Sequence, residues 1–433
     1  MSTVASTRWI AILVALGLAG PARVSAQASA PRLTLAELER VALDSNPGLR
    51  VAALDVAQAR ADVVTAALRL NPQASVVADV LPLGDAKRYS PSNNQFALSL
   101  QLPVELGGKR ARRTETAEAY AGTAQLLYAD SARRVLLAVR LAFYDVQASE
   151  QGLQLADRNV QLYTRLTALS QSRFDQKQIS GTELSRAVLA RAQAELARDA
   201  ALVQLQKAQD VLAFAAGRRD RIAVRDTLEP SPRLIAGLAA LEAMALRQRP
   251  DVLYGRALRA AADANARLQD ANATVTPTVS ADYVVQQGQQ MYGLSGSVPL
   301  TLFNRNQGER EKATYRQQQA DRTLESAELL ARTDLRSAWT DYEARRAAVA
   351  RFSTPGPDGI LARAQSVLES TEFAYRAGSL SLLEYLDAVR TFADIYRTYV
   401  DSVAQFNKAV AALDAASGAD SPRLLDRYRA GAR

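Results

Sequence analysis

A sustained heptad pattern of apolar residues runs through residues 382–413. Its members recur at alternating steps of three and four, and none is charged: Leu382, Tyr385, Val389, Phe392, Tyr396, Tyr399, Val403, Phe406, Val410 and Leu413. This spacing predicts a long helix that packs lengthwise against neighbouring helices, as in a coiled coil. A turn at residues 377–381 precedes the pattern, and Gly418 marks its end.

The same plan of turn, helix and terminal glycine occurs earlier in the chain, over residues 174–217. Glu183 and Glu384 are separated by 201 positions, and so are Gly217 and Gly418. Self-similarity at a fixed offset indicates a duplicated unit. The sequence therefore predicts two long helical hairpins, one in each half of the chain.

Each hairpin is preceded by a shorter helical stretch that contains a proline. Residues 33–70 have helical spacing with an interruption at Pro47, and residues 241–271 repeat this with an interruption at Pro250. Because these prolines lie 203 positions apart, close to the hairpin offset, the whole chain is predicted to be a duplication.

Between the shorter helices and each long hairpin, the apolar period changes to two. Four strands are predicted, at about 72–82, 94–104, 277–286 and 292–303. Each is apolar on one face and small or polar on the other, over a length that is typical of outer-membrane β-strands. The alternative interpretation is a half-buried sheet of a soluble protein, packed on the helices.

Four strands are too few to close a membrane barrel, for which about eight is the usual minimum. Open strand edges are excluded from lipid because their N–H and C=O groups would have no hydrogen-bond partners. If these strands span a membrane, several chains must share one barrel. The predicted fold is therefore mainly α, with a small β portion that is a membrane β-barrel portion if the strands span a bilayer.

The domain organisation follows from these patterns. Residues 1–26 resemble a secretory signal peptide, in which Arg8 precedes a short apolar run and Val24-Ser25-Ala26 supplies a cleavage site; a retained anchor helix is the alternative. The predicted segments that follow are a first repeat (27–217), a linker (218–240), a second repeat (241–418) and a polar tail (419–433).

Composition narrows the function. The 433 residues include no Cys and no His, which excludes disulfides, thiol catalysis and Ser-His-Asp triads. We therefore expect no enzyme activity, no cofactor and no metal site of the chain's own. The net charge of +8 is dispersed along helices without a basic stripe, so nucleic acid is not an expected partner.

Three segments carry a family resemblance: residues 106–110 (LGGKR), 299–309 (PLTLFNRNQGE) and 377–388 (AGSLSLLEYLDA). Together with the two strand-pair-plus-hairpin repeats, they resemble the TolC family of outer-membrane efflux proteins over essentially all of the mature chain. The GGKR and NRNQG segments are most similar to the CzcC-like branch, which serves heavy-metal exporters of the resistance-nodulation-division (RND) type.

The resemblance implies a homotrimer with four strands per chain, which gives a twelve-stranded barrel in the lipid of the cell outer membrane above a periplasmic α-helical tunnel. It implies a passive exit duct that receives metal cations from a periplasmic adaptor, the membrane fusion protein, and an inner-membrane RND-type pump. Two alternatives remain: a similar duct for drugs or for type I protein secretion, and a soluble periplasmic coiled-coil adaptor.

A constriction is expected near the second hairpin tip. Glu384 and Asp387 lie three residues apart, on one helix face, where the family carries gate-lining acidic residues. Tyr375 matches the family's gate-linking tyrosine, and Thr182 and Glu183 occupy the partner positions in the first repeat. Leu380 stands where the family has a gate-linking arginine. The alternative for the two carboxylates is a solvated helix face.

The hairpin tips and the barrel lumen complete the candidate residues. The tips expected to meet the adaptor are Ile179, Ser180 and Gly181, and Gly378, Ser379, Leu380 and Ser381. Gly181 and Gly378 are predicted to permit the tight chain reversal. The side chains expected to face the lumen are Gln95, Gln101, Asp79 and Asp282.

Overall fold

The computed structural model describes residues 32–78, 95–231, 236–286, 288–352 and 359–431. The helices of this part of the chain are α1 (Leu35–Ser45), α2 (Pro47–Ala67), α3 (Lys109–Asp175), α4 (Gly181–Ala215), α5 (Leu238–Gln248), α6 (Pro250–Asn272), α7 (Gln307–Phe352), α8 (Ile360–Arg376), α9 (Leu382–Ser417) and α10 (Ser421–Gly431). Its strands are β1 (Arg32–Leu33), β2 (Gln73–Ala78), β3 (Gln95–Pro103), β4 (Ala223–Val224), β5 (Thr278–Gln286) and β6 (Gln289–Ser297). The fold is mainly helical. No described helix has both the length and the apolarity needed to cross a lipid bilayer.

The elements follow one another in the same order in the two halves of the chain. A short helix pair, a strand pair and a long hairpin appear as α1-α2-β2-β3-α3-α4 and again as α5-α6-β5-β6-α7-α8-α9. The halves differ in the first arm of the hairpin, which is one helix of 67 residues in α3 but is divided into α7 and α8 in the second half. Residues 353–358, between α7 and α8, lie outside the described residues.

Polar side chains cap the starts of α1 and α2. Thr34 accepts a hydrogen bond from the Glu37 N–H, and the Glu37 carboxylate accepts one from the Thr34 N–H at 2.8 Å. The Asn46 side chain accepts hydrogen bonds from two backbone N–H groups of α2, and Pro47 occupies the first position of that helix. Because Asn46 ends α1 and caps α2, the two helices join without a loop.

A glycine at the end of each long hairpin packs against the junction of the short helix pair. Gly217, with φ +71°, approaches Asn46 so closely that a Cβ atom there would lie 2.6 Å from the Asn46 Cα. Gly418, with φ +73°, approaches Arg249 in the same way, and its Cβ would lie 3.0 Å from the Arg249 nitrogen. Both the positive φ and the close approach require glycine at these two positions.

Each of these contacts between a terminal glycine and a helix-pair junction is a joint, and a side chain forms a hydrogen bond across it. Asn46 Nδ2 donates to the carbonyl oxygen of Ala215 at 3.0 Å, and Arg249 Nη1 donates to that of Ala416 at 3.2 Å. The Arg249 side chain is 2% exposed and forms a salt bridge with Asp251 at 2.6 Å. The two halves therefore use different chemistry for the same packing function.

The four longer strands form one antiparallel sheet in the order β2-β3-β5-β6. Its register places Ser99 opposite Asp282 and Leu100 opposite Ala281. One face exposes large apolar side chains, among them Val76, Phe96, Leu98, Leu100, Leu102, Val279, Tyr292 and Leu294. Among the described residues, β2 and β6 each pair along one edge only.

Both ends of β6 differ from the predicted bounds, since the strand begins at Gln289 rather than at residue 292. β6 ends at Ser297, whereas the sequence pattern extends the strand to 303. Pro299 has no N–H to donate to a strand ladder. The sheet therefore ends before it, although the alternating apolar residues continue. The end of the predicted first strand, together with Asp79, lies outside the described residues, because β2 is described only to Ala78.

The segments predicted as linker and tail contain ordered elements. Within 218–240, β4 pairs in parallel with β1, and α5 begins at Leu238. Within 419–433, α10 packs on α3: Leu424 is 2% exposed, and Asp420 accepts a salt bridge from Arg140 at 2.7 Å. A buried apolar side chain and two ion pairs, Arg140–Asp420 and Arg423–Glu39, thus hold a segment whose overall composition is polar.

Candidate functional site

The two hairpin tips are built in the same way. Residues 176–180 connect α3 to α4, and residues 377–381 connect α8 to α9. Each return helix begins with a serine cap. The Ser180 hydroxyl accepts from the Glu183 N–H at 3.2 Å, and the Ser381 hydroxyl accepts from the Glu384 N–H at 3.4 Å.

The chain reversal at the first tip does not depend on Gly181, and the prediction that it does is wrong. Gly378 has φ +76° as expected, but in the first tip the left-handed residue is Lys177, with φ +60°. Lys177 is the 201-position equivalent of Gly378, whereas Gly181 is the first residue of α4. A lysine in this conformation costs about 1–2 kcal/mol relative to glycine, which the surrounding turn must offset.

The predicted tip residues lie at the free ends of the hairpins. Five are exposed, namely Ser180, Gly181, Gly378, Ser379 and Ser381, while Ile179 and Leu380 are half-buried. The surface they present is small and polar, with one partly covered apolar side chain in each tip.

Tyr375 lies in an apolar cluster to which α3, α4, α8 and α9 all contribute. Its side chain is 2% exposed, and its ring stacks on that of Tyr385 with 5.3 Å between centroids and 10° between planes. Tyr163 and Leu382 belong to the same cluster. Burial, reinforced by the charge of Glu372, raises the pKa of Tyr385 to about 12. The Tyr385 hydroxyl therefore keeps its proton at physiological pH.

Arg173 connects the two tips, and sequence reasoning missed it. Its guanidinium carbon lies 5.0 Å from the centre of the Tyr375 ring, and Nη2 donates to the carbonyl oxygens of Tyr375 (3.4 Å) and Arg376 (3.2 Å). A basic residue in the last turn of α3 is a visible signal, but the carbonyls it reaches belong to the other half of the chain.

The two predicted gate carboxylates are exposed at the start of α9, and Glu384 also caps that helix. Glu384 Oε2 accepts hydrogen bonds from the Ser381 N–H at 2.9 Å and from its hydroxyl at 2.8 Å. These bonds lower the pKa of Glu384. Asp387 is exposed three residues further along, on the same helix face.

The partner positions lie at the start of α4. Thr182 is exposed and Glu183 is half-buried. The structure therefore divides the predicted gate set into a buried tyrosine and a group of side chains at or near the surface. The buried Tyr375 packs between the helix ends, and the carboxylates can attract cations.

Three of the predicted lumen residues, Gln95, Gln101 and Asp282, share the polar face of the sheet. In the register Gln101 lies opposite Ser280, and Gln95 opposite Gln286. Asp282 accepts hydrogen bonds from the hydroxyls of Ser99 and Ser295, the latter at 3.1 Å. Among the described strand residues of this sheet, Asp282 is the only one that is charged.

The family described as "Outer membrane efflux protein" matches residues 38–218 and 241–419. These two stretches comprise most of the chain and correspond to its two structural halves.

Two relatives show similarity over nearly the whole chain. The cobalt-zinc-cadmium resistance protein CzcC of Cupriavidus metallidurans is 23% identical over 395 residues, which are 88% of this chain and 89% of that protein. The cation efflux system protein CusC of Escherichia coli O157:H7 is 25% identical over 389 residues, 83% of this chain and 80% of that protein. A crystal structure of CusC superimposes with a TM-score of 0.75 at 19% identity, covering 90% of this chain and 93% of that one.

Proposed function

Because this chain belongs to the outer membrane efflux protein family, we propose that three copies of it assemble into an exit duct through the outer membrane. The observation that carries this proposal is the four-stranded sheet, with an exposed apolar face and free edges at β2 and β6. In lipid, each unpaired edge group costs several kcal/mol. Three sheets joined edge to edge give twelve strands, enough to close a barrel.

The helices attached to the barrel form a tunnel through the periplasm. At 1.5 Å per residue, the 67 residues of α3 extend about 100 Å, far more than a globular core requires. The exposed tips would dock a periplasmic adaptor, and an RND-type pump in the inner membrane would supply the energy. The duct itself conducts passively.

The narrowest point of the tunnel lies next to the second tip. Glu384 and Asp387 from three chains would form rings of carboxylates, with Thr182 and Glu183 beside them. Like charges at short range raise some of the carboxyl pKa values in such a ring and attract cations to it. Tyr375 acts beneath this surface by fixing the helix ends. In the barrel, Gln95, Gln101 and Asp282, with Asp79, would line the lumen.

The proposed cargo is metal cations. The names of two relatives support this, since CzcC is a cobalt-zinc-cadmium resistance protein and CusC belongs to a cation efflux system. With no His or Cys, the chain offers only hard oxygen ligands and a few Met, so metal recognition belongs to the pump and adaptor.

Three measurements test the proposal. The mature protein, extracted in detergent, should have the mass of a trimer and should form ion-conducting pores in planar bilayers. A strain that lacks the gene should become sensitive to cobalt, zinc or cadmium salts. Purification as a water-soluble monomer without detergent would refute the duct, whereas sensitivity to drugs alone would refute only the cargo.

A further inference from the structure

The LGGKR segment joins β3 to α3, and the duct proposed above gives it no role. Gly107 and Gly108 both have a left-handed backbone, with φ +70° and +71°, so the chain can turn tightly where the sheet ends. Lys109 and Arg110 follow directly as the first residues of α3. Lys109 Nζ donates to Thr276 Oγ1 at 2.7 Å, which holds this side chain next to the start of β5. The segment therefore places two cations at the base of the sheet.

A hollow of about 420 Å³ lies beside this turn. Its apolar wall includes Leu70, Leu102 and Val104, which are 44%, 49% and 37% exposed. Leu102 belongs to the exposed apolar face of the sheet, and Val104 lies just beyond the end of β3. The hollow therefore opens at the boundary where that apolar face ends.

The polar wall of the hollow carries a surplus of positive charge. Arg69, Lys109 and Arg110 line it, and none of the three forms a salt bridge within the described part of the chain. Glu105 also lines the hollow, but its carboxylate is paired with Arg113 at 2.6 Å. Three cations thus adjoin an exposed apolar wall without a carboxylate of their own.

The length of β3 places this boundary at the edge of a membrane. Its nine residues extend about 30 Å at about 3.4 Å per residue. A strand tilt of about 40°, usual in outer-membrane barrels, reduces the height to about 23 Å, close to the apolar band of about 25 Å in such barrels. The cations therefore lie just outside the band, at the level of the phospholipid headgroups.

We propose that the hollow binds an anionic phospholipid, with its phosphate held by Arg69, Lys109 and Arg110 and its acyl chains along the apolar wall. The inference rests on the proposed function, because only a sheet that spans the outer membrane brings the hollow to the headgroups. Lys and Arg suit this position, since their alkyl stems cover apolar surface while their charges reach the polar layer. The exposure of the two arginines is required here, because the ligand approaches from the bilayer.

Dioleoyl phosphatidylglycerol and dioleoyl phosphatidylcholine are matched probes, since they share their acyl chains and phosphate but differ in net charge. Native mass spectrometry of the intact protein in detergent would count the bound lipids during a titration. Each basic residue beside an anionic headgroup favours binding about fivefold, which corresponds to about 1 kcal/mol. Phosphatidylglycerol should therefore bind at least about tenfold more tightly, and equal binding of the two lipids would overturn the proposal.

A soluble phosphate tests whether the ligand must be a lipid. Glycerol 3-phosphate has the charged group but no acyl chains, so it should not displace phosphatidylglycerol at equal concentration. Displacement at equal concentration would show that the hollow binds a soluble anion, and would overturn the assignment to a lipid.

Variants identify the site. Arg69→Gln and Arg110→Gln should each weaken phosphatidylglycerol binding about fivefold, whereas Arg110→Lys, which keeps the charge, should retain most of it. Arg112→Gln is the matched control: Arg112 lies two residues from Arg110, is exposed, pairs with Glu115 at 2.8 Å and does not line the hollow. An equal loss in Arg112→Gln would show a general effect of charge and would overturn the assignment.

Conductance distinguishes failure of this site from failure of the duct. Ion-conducting trimers that show no preference for phosphatidylglycerol would count against the site alone. A preference for phosphatidylglycerol in a protein that forms no pores would count against the duct alone.

Discussion

The guanidinium of Arg173, in the first hairpin, lies over the ring of Tyr375, in the second, 5.0 Å from its centre. The same guanidinium donates to two carbonyl oxygens at the end of α8. The tip of each hairpin is therefore held by the other half of the chain. This contact sets how far apart the two hairpins stand at the end where the constriction is proposed.

Replacing Arg173 should loosen the tips. Arg173→Ala removes a cation–π contact and two hydrogen bonds, which should lower the stability of the tip by about 1–2 kcal/mol and raise the resting conductance. Thermal unfolding and planar-bilayer recordings would measure both effects. Arg186→Ala, at an exposed position on α4, is the control. Identical behaviour of the two variants would contradict the role assigned to Arg173.

The carboxylates at the start of α9 should limit ion flow. Glu384→Ala combined with Asp387→Ala is expected to increase leakage in planar bilayers, because two rings of charge are removed. Since Glu384 also caps α9, Glu384→Gln separates the roles: glutamine retains the cap but lacks the charge. Asp401→Asn, further along α9, should leave conductance unchanged. If the double variant conducts as the unmodified protein does, the gate assignment is wrong.

The joint around Arg249 should lose stability in acid. Burial alone would raise the pKa of Asp251, but the hydrogen bond and charge of Arg249 outweigh this, and the pKa is lowered from 3.8. The contribution of the carboxylate is thus complete above pH 3.8 and is lost as the pH falls through the lower, folded-state pKa. Asp251→Asn should cost about 2 kcal/mol at pH 7 and flatten the acid limb of a melting-temperature profile between pH 7 and pH 2. A parallel decline in both proteins would exclude this ion pair as the cause.

Two glycine substitutions should have opposite signs. Gly217→Ala forces a Cβ to within 2.6 Å of the Asn46 Cα at a positive φ, so the stability of the first joint should fall by about 2 kcal/mol or more. Gly152→Ala lies inside α3 with nothing within 4 Å of its Cβ, and should stabilise the helix by about 0.5–1 kcal/mol. Melting temperatures compare them directly. A stabilising Gly217→Ala would show that the joint can open without cost.

Asp282 should make the barrel prefer cations. In a closed trimer its carboxylate would form a ring of three in the lumen, so Asp282→Asn should reduce the cation preference measured as a reversal potential across a salt gradient. Ser295→Ala removes one hydrogen bond to Asp282 but retains the charge, and should change the potential little. If Asp282→Asn has no effect on the potential, the carboxylate does not face the ion path.

Periodicity in the sequence indicates the helices and strands because each has one dominant buried or apolar side. The seam of α9 shows how far this extends: Leu382, Val403 and Leu413 are buried, but Phe392 and Tyr399, near its middle, are half-buried. A heptad pattern predicts which face packs, but how completely each position is covered depends on the neighbouring helices.

Contacts between the halves could not be predicted in this way. The local sequence marks Arg173 as a basic residue in the last turn of α3, but the carbonyl groups that Arg173 and Arg249 contact lie elsewhere in the chain. Residue type alone favours Gly181, whereas the left-handed conformation lies at Lys177. The predicted gate positions rest on the resemblance to a family. That resemblance does not indicate that the Tyr375 side chain is buried.

The difference between Lys177 and Gly378 bears on the stoichiometry of docking. A ring of three chains would present two tips per chain, with an exposed cationic turn and an uncharged one in alternation. A partner that requires the ammonium group would occupy every second tip, giving equal numbers of both proteins. A partner that recognises only the backbone shape of the turn would occupy all of the tips, at two copies per chain.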